Sequence, residues 1–373
     1  MKTPYTILHT IETGGPGGAE TVLLELASRL NPERFRSLAL LPGGHWLPRR
    51  LEERGVPCTI SESRTWYDPS LLRTMVRLIR RENVDLIHSH LDDQNFYSSV
   101  AGLITRRKAV VTYHGAPGLA RQQGLRRRFK TWTVRRSASA VVVVSDYLKE
   151  LLGQAGFSPS RIHRIYNGVD LARFAPTGER RIRAELHLGD ETKLVGMVAN
   201  IRRSKGYEYF IRAACKIVES VPQARFLAIG EADEALARPL HELVRSLGLE
   251  SRFLFLGFRP DVASLLGEMN VFVLSSTDEG LSIATIEAMA AARPVVVTRS
   301  GGPQEIVEEG ETGFLVPPAD ADALAARVCD ILRQPELGLR LGNNARAAVT
   351  ARFSIEQMVH EYESFYQRCL GIN

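Results

Sequence analysis

The chain has 373 residues and a formal net charge of +6; 44% of its residues are hydrophobic and 24% are charged. This length exceeds that of one ordinary hydrophobic core and predicts two domains, and the composition excludes a disordered or fibrous protein. No apolar run is long enough to span a bilayer, and the four scattered cysteines form no C-x-x-C pair, which argues against a zinc site and against a disulfide framework.

In chain order, the first half alternates strand-like and helix-like patterns. It opens on a strand-like stretch without the cationic and apolar regions of a signal peptide, and the cysteines suit a reducing compartment, so we expect a cytoplasmic protein. The predicted strands are short apolar or β-branched runs at residues 5–11, 37–41, 84–87, 109–113 and 140–145. Between them, apolar residues at helical spacing predict helices over 22–30 and 71–79.

The second half repeats this alternation after a polar segment, 167–192, that reads as an interdomain linker. Its predicted strands are 194–199, 225–229, 253–256, 271–274 and 294–298, and its predicted helices are 207–218, 235–247, 282–292 and the amphipathic 355–370. This alternation predicts parallel sheets covered on both faces by helices. Ligands of such sheets bind beyond the carboxyl ends of the strands.

Three strands of the first half are followed by residues that suit a ligand site. Four glycines between Gly14 and Gly18 follow the first strand and allow close backbone approach, but the G-x-G-x-x-G register and a following lysine are missing, so dinucleotide or triphosphate binding has little support. His114 follows the strand 109–113, where α/β enzymes place their chemistry, and His88 and His90 have a weaker claim. Each histidine taken by itself could equally be a packing or surface residue without a functional role.

A basic loop follows the strand 194–199. Arg202, Arg203 and Lys205 could hold a diphosphate, the arginines through bidentate contacts and the lysine as a compact charge. A solvated basic loop would contain the same residues.

The strongest local pattern extends from Glu279 to Glu287, between the strand 271–274 and the next helix. Gly280 lets backbone N–H groups approach an anion, and a helix that begins near Ser282 adds the positive end of its dipole. Glu287 is placed to accept hydrogen bonds from a ribose diol, while Glu279 lies at the strand exit. Taken alone, the pattern is also typical of an ordinary helix start, in which Glu279 caps the helix and Glu287 is solvated.

The positive charge is concentrated in the segment 94–145, which contains ten basic residues and no acidic one. Its stretch from Arg121 to Arg136 places Leu125, Phe129 and Trp132 at helical spacing among arginines. This pattern predicts either an interfacial helix on an anionic membrane surface or a packed helix with a solvated basic face. No nucleic-acid recognition module accompanies the charge, so nucleic acid is not an expected partner.

Two other patterns resemble metal sites but lack ligands. His360 and Glu361 begin a zincin-like motif whose second histidine would stand at Ser364. Asp320 and Asp322 precede a helical run, and helix N-capping explains them better. We therefore expect no metal site.

Taken together, these strand-exit elements resemble the family 4 retaining glycosyltransferases with the GT-B fold. The resemblance extends from the glycine-rich turn through 167–170 to Glu305, and its most specific part is the E-x7-E element of Glu279 and Glu287 joined to 301–307 and 313–316. It implies an α/β protein of two Rossmann-like doubly wound parallel-sheet domains that face each other across a cleft. Residues 1–170 would form the acceptor-side domain, with the helix 355–373 packing back on it, and residues 171–354 the donor-binding domain.

The resemblance also implies a role for each candidate residue. The residues implied in catalysis are Glu279, His114, Lys205 and Arg202. The residues implied in donor binding are Gly17, Gly18, Asn200, Gly280, Leu281, Ser282 and Glu287. Within this set, Glu287 would bind the ribose, Glu279 and His114 the transferred sugar, Lys205 the diphosphate, and the backbone N–H groups of 280–282 the donor.

One position departs from the common form of the family motif. A glycine and an arginine usually stand where this chain has Ala199 and Asn200. Arg202 or Arg203 would then replace the missing arginine, and we prefer Arg202.

The implied reaction transfers a sugar from a UDP- or GDP-sugar to a glycan, a lipid-linked or a small-molecule acceptor, with retention at the anomeric carbon and without a metal or cofactor. Lys205, an arginine and helix N-termini would neutralise the departing nucleoside diphosphate. Because many such enzymes build lipid-linked glycans, the basic stretch implies a peripheral position on the inner face of the cell membrane. A nucleotide-sugar epimerase of similar two-domain fold is the alternative, and a non-catalytic sugar-nucleotide binding module is a further one.

Overall fold

The structure, a computed structural model, describes residues 4–43, 46–61, 67–115, 124–176, 178 and 181–372. The chain forms two compact units: unit 1 comprises Met1–Gly168 and Ile355–Asn373, and unit 2 comprises Val169–Ser354. Among the described residues, no helix combines the length and the apolar character needed to cross a membrane.

Unit 1 contains a seven-stranded sheet. Its strands are β1 (Tyr5–Ile11), β2 (Phe35–Leu41), β3 (Cys58–Ile60), β4 (Leu86–His90), β5 (Lys108–Tyr113), β6 (Ala140–Val143) and β7 (Ile162–Arg164). They are all parallel, in the order β3-β2-β1-β4-β5-β6-β7. The helices between them are α1 (Gly18–Arg29), α2 (Trp46–Glu53), α3 (Pro69–Arg81), α4 (Asp92–Thr105), α5 (Leu125–Ser137) and α6 (Asp146–Gln154).

Unit 2 contains a six-stranded sheet. Its strands are β8 (Lys193–Val198), β9 (Ala224–Ile229), β10 (Phe253–Gly257), β11 (Val271–Leu274), β12 (Val295–Thr298) and β13 (Gly313–Val316). They are all parallel, in the order β10-β9-β8-β11-β12-β13. The helices are α7 (Arg181–Glu185), α8 (Tyr207–Ser220), α9 (Glu234–Ser246), α10 (Val262–Glu268), α11 (Ile283–Ala290), α12 (Pro303–Ile306), α13 (Ala321–Arg333) and α14 (Pro335–Arg352).

The last helix, α15 (Ile355–Leu370), completes the core of unit 1. Its residues Tyr362, Phe365 and Tyr366 are buried, and the Tyr366 hydroxyl lies 2.5 Å from Nδ1 of His88 on β4. The amphipathic pattern predicted for 355–370 matches this helix, since its apolar side is the buried one.

Both sheets are open, and the direction in which strands are added reverses between β1 and β4 in unit 1 and between β8 and β11 in unit 2. Such a reversal leaves a crevice at the carboxyl ends of the two central strands, where ligands of open α/β sheets bind. A ligand site in unit 2 is therefore expected at the loops that follow β8 and β11. The predicted architecture of two parallel-sheet Rossmann-like domains is confirmed.

Candidate active site

The loops that follow β8 and β11 are bound to each other. The backbone N–H of Thr277 donates to the carbonyl of Ser204 at 2.8 Å, and the hydroxyl of Ser275 donates to the carbonyl of Gly206 at 2.9 Å. Gly206 has a φ of +61°, and a Cβ there would lie 2.2 Å from the Ser275 carbonyl oxygen. Only glycine allows the two loops to approach so closely.

This approach brings together two of the predicted site residues, Lys205 and Glu279. The ammonium group of Lys205 donates a hydrogen bond to Oε2 of Glu279, and the hydroxyl of Ser276 donates to the same oxygen at 3.2 Å. The two charged side chains retain only 22% and 12% of their exposure. Ser276 was not predicted from the sequence, because a serine at a strand exit is too common to be noticed.

The turn that contains Glu279 and Gly280 is held by the segment that follows β12. The backbone N–H of Glu279 donates to the carbonyl of Ser300, and that of Gly302 donates to the carbonyl of Glu279, both at 2.9 Å. A Cβ at position 302 would lie 2.0 Å from the carbonyl oxygen of Gly280. The glycines of the 301–307 motif thus fix the geometry of the turn.

Beyond this turn, Ser282 caps α11 by accepting a hydrogen bond from the N–H of Thr285 at 3.2 Å. Leu281 is buried beside it. Glu287 is half-buried within α11, and loss of solvation raises the pKa of its carboxyl group to about 7, while the charge of Arg173 has a smaller opposing effect. The predicted donor-binding residues of 280–287 therefore lie on one turn and the helix that it opens.

Asn200, Arg202 and Arg203 follow β8. The side-chain oxygen of Asn200 accepts a hydrogen bond from the N–H of Glu231 at 3.0 Å, so it ties down the loop after β9. Arg202 and Arg203 are exposed, and neither guanidinium group has an ion-pair partner among the described residues. The structure therefore leaves both cations accessible, and the preference for Arg202 stays a prediction.

The other predicted residues, Gly17, Gly18 and His114, belong to unit 1. Gly17 and Gly18 begin α1, and a Cβ on Gly17 would lie 2.3 Å from the carboxylate of Glu20, which accepts a hydrogen bond from the Thr13 hydroxyl at 2.5 Å. His114 follows β5, and burial lowers its pKa to about 4. Their roles toward a donor stay predictions.

A row of histidines lies beside His114. The ring nitrogens of His9, His88 and His90 lie within 4.8 Å of one another, which is the spacing of a metal site. Both nitrogens of His88, however, already face hydroxyl groups, at 2.5 Å from Tyr366 and 2.7 Å from Thr112. A metal ion would have to displace one of these contacts, so we assign no metal to this row.

Residues 125–136 of the basic stretch belong to α5, and residues 121–123, including Arg121, lie outside the described residues. Lys130 is buried and pairs with Asp93, so it does not belong to a solvated basic face as its position in the sequence suggested. Leu125, Phe129 and Trp132 are instead exposed, by 84%, 51% and 50%. Val134 is buried on the same helix, while Arg126, Arg128 and Arg136 are exposed, so the structure agrees with a packed helix that has a solvated basic face, and the membrane role stays a prediction.

Comparison with known proteins identifies the family. The profile described as Glycosyltransferase Family 4 matches residues 16–173, and the profile described as Glycosyl transferases group 1 matches residues 178–348. The chain is 31% identical over 250 residues to the lipopolysaccharide core biosynthesis mannosyltransferase LpcC of Rhizobium leguminosarum, a match that covers 66% of this chain and 68% of LpcC. It is 28% identical over 305 residues to the N-acetyl-alpha-D-glucosaminyl L-malate synthase of Bacillus anthracis, covering 80% of this chain and 79% of the relative.

The fold comparison agrees. The crystal structure of Anabaena HepE in complex with UDP and glucose is 25% identical and superposes with a TM-score of 0.88 over 98% of this chain and all of HepE. LpcC and further relatives carry the names of transferases, which does not support the epimerase alternative. The chain is therefore a glycosyltransferase that belongs to glycosyltransferase family 4 and has the GT-B fold.

Proposed function

We propose that the chain transfers a sugar from a nucleoside diphosphate sugar, with retention at the anomeric carbon and without a metal ion. The observation that carries the proposal is the ion pair of Lys205 and Glu279 at the crevice between β8 and β11, next to the N-terminus of α11. A cation, an acid and backbone N–H groups are there within one set of loops. This is the chemistry that a diphosphate leaving group and a reacting sugar require.

In this proposal Lys205 and Arg202 neutralise the charge that develops on the diphosphate. The N–H groups of 280–282 and the dipole of α11 add fixed positive potential, so the departure of the nucleoside diphosphate needs no metal. Glu287 accepts hydrogen bonds from the ribose hydroxyls, and Glu279 contacts the transferred sugar. Gly17, Gly18 and Asn200 assist donor binding, and His114 binds the sugar.

The donor is a UDP- or GDP-sugar. UDP is favoured because HepE, 25% identical over its whole length, has been crystallised with UDP and glucose and with UDP-glucose. The relatives differ in what their names say of the acceptor, lipopolysaccharide core for one and malate for the other. We therefore propose a glycan, a lipid-linked or a small-molecule acceptor and rank none of them.

We further propose that the exposed face of α5 rests on an anionic membrane surface at the inner face of the cell membrane. Phe129 and Trp132 stack with ring centroids 6.3 Å apart, and both are half-exposed, so they form an apolar ridge. Arg128 and Arg136 are exposed on the same helix. Apolar rings between cations are what an interface of acyl chains and anionic headgroups attracts.

The experiment that tests the enzymatic proposal measures hydrolysis of a panel of UDP-, GDP- and ADP-sugars by the purified protein, with and without EDTA. We expect one nucleotide class to be hydrolysed, at the same rate after chelation. NMR of the first sugar released or transferred then reports the anomeric configuration. Loss of activity with EDTA, restored by a divalent cation, would refute metal independence, and an inverted product would refute retention.

A further inference from the structure

The structure contains a row of buried histidines in unit 1 that the proposed reaction does not use. His9 on β1 is in register with His88 on β4, and His90 follows on the same face of β4. All three are fully buried, and burial holds the pKa of His88 and His90 well below the ordinary value. These side chains are therefore neutral near pH 7, and each carries one ring proton.

His90 joins this row to His114. Nδ1 of His90 and Nε2 of His114 are 2.7 Å apart, and the two rings lie edge to edge, with centroids 5.0 Å apart and planes inclined by 21°. A hydrogen bond of this length between two neutral imidazoles contains one proton, so one ring donates and the other accepts. The two remaining nitrogens, Nε2 of His90 and Nδ1 of His114, are buried and have no partner among the described residues.

The position of that proton decides which chemistry His114 offers. If His114 donates through Nε2, then His90 must keep its own proton on Nε2, where a donor is left unpaired inside the fully buried strand β4. If His90 donates through Nδ1, the unpaired N–H is instead Nδ1 of His114, a half-buried residue after the end of β5. An unpaired donor costs least where a ligand can reach it, so the second arrangement is favoured.

We propose that His90 is a positioning residue that holds His114 as the Nδ1–H tautomer, so that Nδ1 donates a hydrogen bond to an oxygen of the transferred sugar. The partner of one ring nitrogen sets the proton on the other. The inference rests on the proposed role of His114 in sugar binding. It adds the identity of the donor atom and the residue that enforces it.

The direct test is NMR of the full chain with ¹⁵N-labelled histidine, near pH 7, where the chemical shifts and two-bond couplings of the ring nitrogens identify each tautomer. The signals of His114 are assigned by their loss in His114→Ala. We expect Nδ1–H in the wild-type protein and a shift toward Nε2–H in His90→Leu. A wild-type His114 protonated on Nε2, or on both nitrogens, overturns the proposal, and this measurement requires no substitution at His90.

Kinetics supply the second test, with UDP-glucose or the sugar nucleotide that the panel selects. His90→Leu should lower kcat/KM about tenfold, as for a lost directed hydrogen bond, and should have no further effect in a His114→Ala background. His90→Asn, which places an amide near the position of Nδ1, should restore part of the activity. His9→Leu is the matched control, because it also replaces a fully buried histidine of the row but has no hydrogen bond to His114.

These arms separate the two proposals. If His114→Ala keeps full activity while wild-type His114 is the Nδ1–H tautomer, the sugar-binding role is wrong and His90 still sets the tautomer. If His114→Ala is impaired but His90→Leu and His9→Leu are equally harmful in both backgrounds, His90 acts only through the fold and the inference is wrong.

Discussion

The ammonium group of Lys205 donates to the same carboxylate oxygen of Glu279 that accepts the hydroxyl of Ser276. The cation proposed to bind the diphosphate and the acid proposed to contact the sugar therefore neutralise each other. A phosphate oxygen that reaches Lys205 competes with this carboxylate. Substitutions at the two positions should thus affect binding and turnover differently.

Glu279→Gln should lower kcat about 100-fold or more, because a charge aimed at the reacting sugar is lost. The Kd for UDP should change by less than about fivefold or decrease, since glutamine no longer holds Lys205. Lys205→Met should instead weaken UDP binding about tenfold or more, because a charge-assisted contact is lost and Glu279 is left to repel phosphate. Calorimetry measures the Kd for UDP, and initial rates measure kcat.

Arg238→Gln is the control for these two changes. It breaks an exposed pair with Glu242 on α9 and should alter neither quantity. A Glu279→Gln variant that fails to bind UDP but keeps its kcat would show that the two roles have been exchanged.

The pKa of about 7 at Glu287 predicts a pH-dependent donor affinity. In the proposed site its carboxylate form accepts hydrogen bonds from ribose hydroxyls, so the Kd for UDP-glucose should rise as pH falls below about 7, by up to about tenfold per pH unit. UDP-glucose suits this measurement, because it lacks the terminal phosphate of UDP, a group that ionises near pH ~6. Glu287→Gln should bind weakly with no such dependence.

Glu12 is the control in this experiment, since burial raises the pKa of its carboxyl group, in unit 1, to about 7 as well. Glu12→Gln should leave the pH dependence of donor binding unchanged. The effect of pH on folding stability has the opposite sign. Because the pKa of Glu287 is higher in the folded chain than in the unfolded chain, the folded chain binds this proton more tightly. The resulting stabilisation of the folded state is fully present below the ordinary pKa of 4.5 and is lost as pH rises through about 7. If the Kd for UDP-glucose depends on pH in the same way in the wild type and in Glu287→Gln, Glu287 does not bind the donor.

The exposed ridge of α5 predicts binding to anionic lipid. Vesicles rich in anionic lipid should retain the protein at low salt, and neutral vesicles should not. Phe129→Ser with Trp132→Ser should weaken retention about tenfold, because the loss of two half-exposed rings removes apolar area that would enter the interface. Arg128→Glu with Arg136→Glu should abolish the preference for anionic lipid.

Phe258→Ser is the matched control for the ridge, because Phe258 is 42% exposed but lies in unit 2. It should leave retention unchanged, and none of these exposed substitutions should alter thermal stability by much. Equal retention on neutral and anionic vesicles would contradict the membrane proposal without affecting the enzymatic one.

Gly302→Ala tests the contact between the turn 279–281 and the segment after β12. The new Cβ would overlap the backbone of Gly280, so we expect a destabilisation of about 1–3 kcal/mol. Displacement of the turn should also lower kcat/KM about 100-fold. Gly267→Ala, in α10 with open space around its Cβ, should raise stability by about 0.5–1 kcal/mol and leave activity unchanged. An active Gly302→Ala variant would show that the turn tolerates displacement.

Much of the fold could be predicted because parallel strands read as continuous apolar runs. The predicted strands 5–11 and 271–274 have the same bounds as β1 and β11. Asp320 caps α13 as expected, because its side chain accepts a hydrogen bond from the N–H of Ala323 at 2.9 Å. The edge strands β3 and β7 were missed because each has only three residues, too few to show a strand pattern. β13 was recognised only as a motif, since it begins at Gly313, and glycine is more typical of turns than of strands.

The sequence placed the end of the fourth strand too early. β4 continues through His88 and His90, which a hydrophobic pattern excludes from a strand core, yet both are fully buried because Tyr366, Thr112 and His114 supply polar partners. Those partners come from β5, the residue after it, and α15, so no local pattern could reveal them. The same holds for Ser276, whose role depends on a carboxylate that the next turn provides.

The return of α15 to unit 1 has a consequence for the order of events during synthesis. Residues 1–168 leave the ribosome well before residues 355–370, with the whole of unit 2 between them. Until then the sheet of unit 1 lacks Tyr362, Phe365 and Tyr366, and the ring of His88 lacks the hydroxyl at its Nδ1. Unit 2 can complete its core as a continuous segment, but unit 1 cannot. The histidine row that leads to His114 is thus assembled last, and an unfinished chain can contain a formed crevice between β8 and β11 before unit 1 is complete.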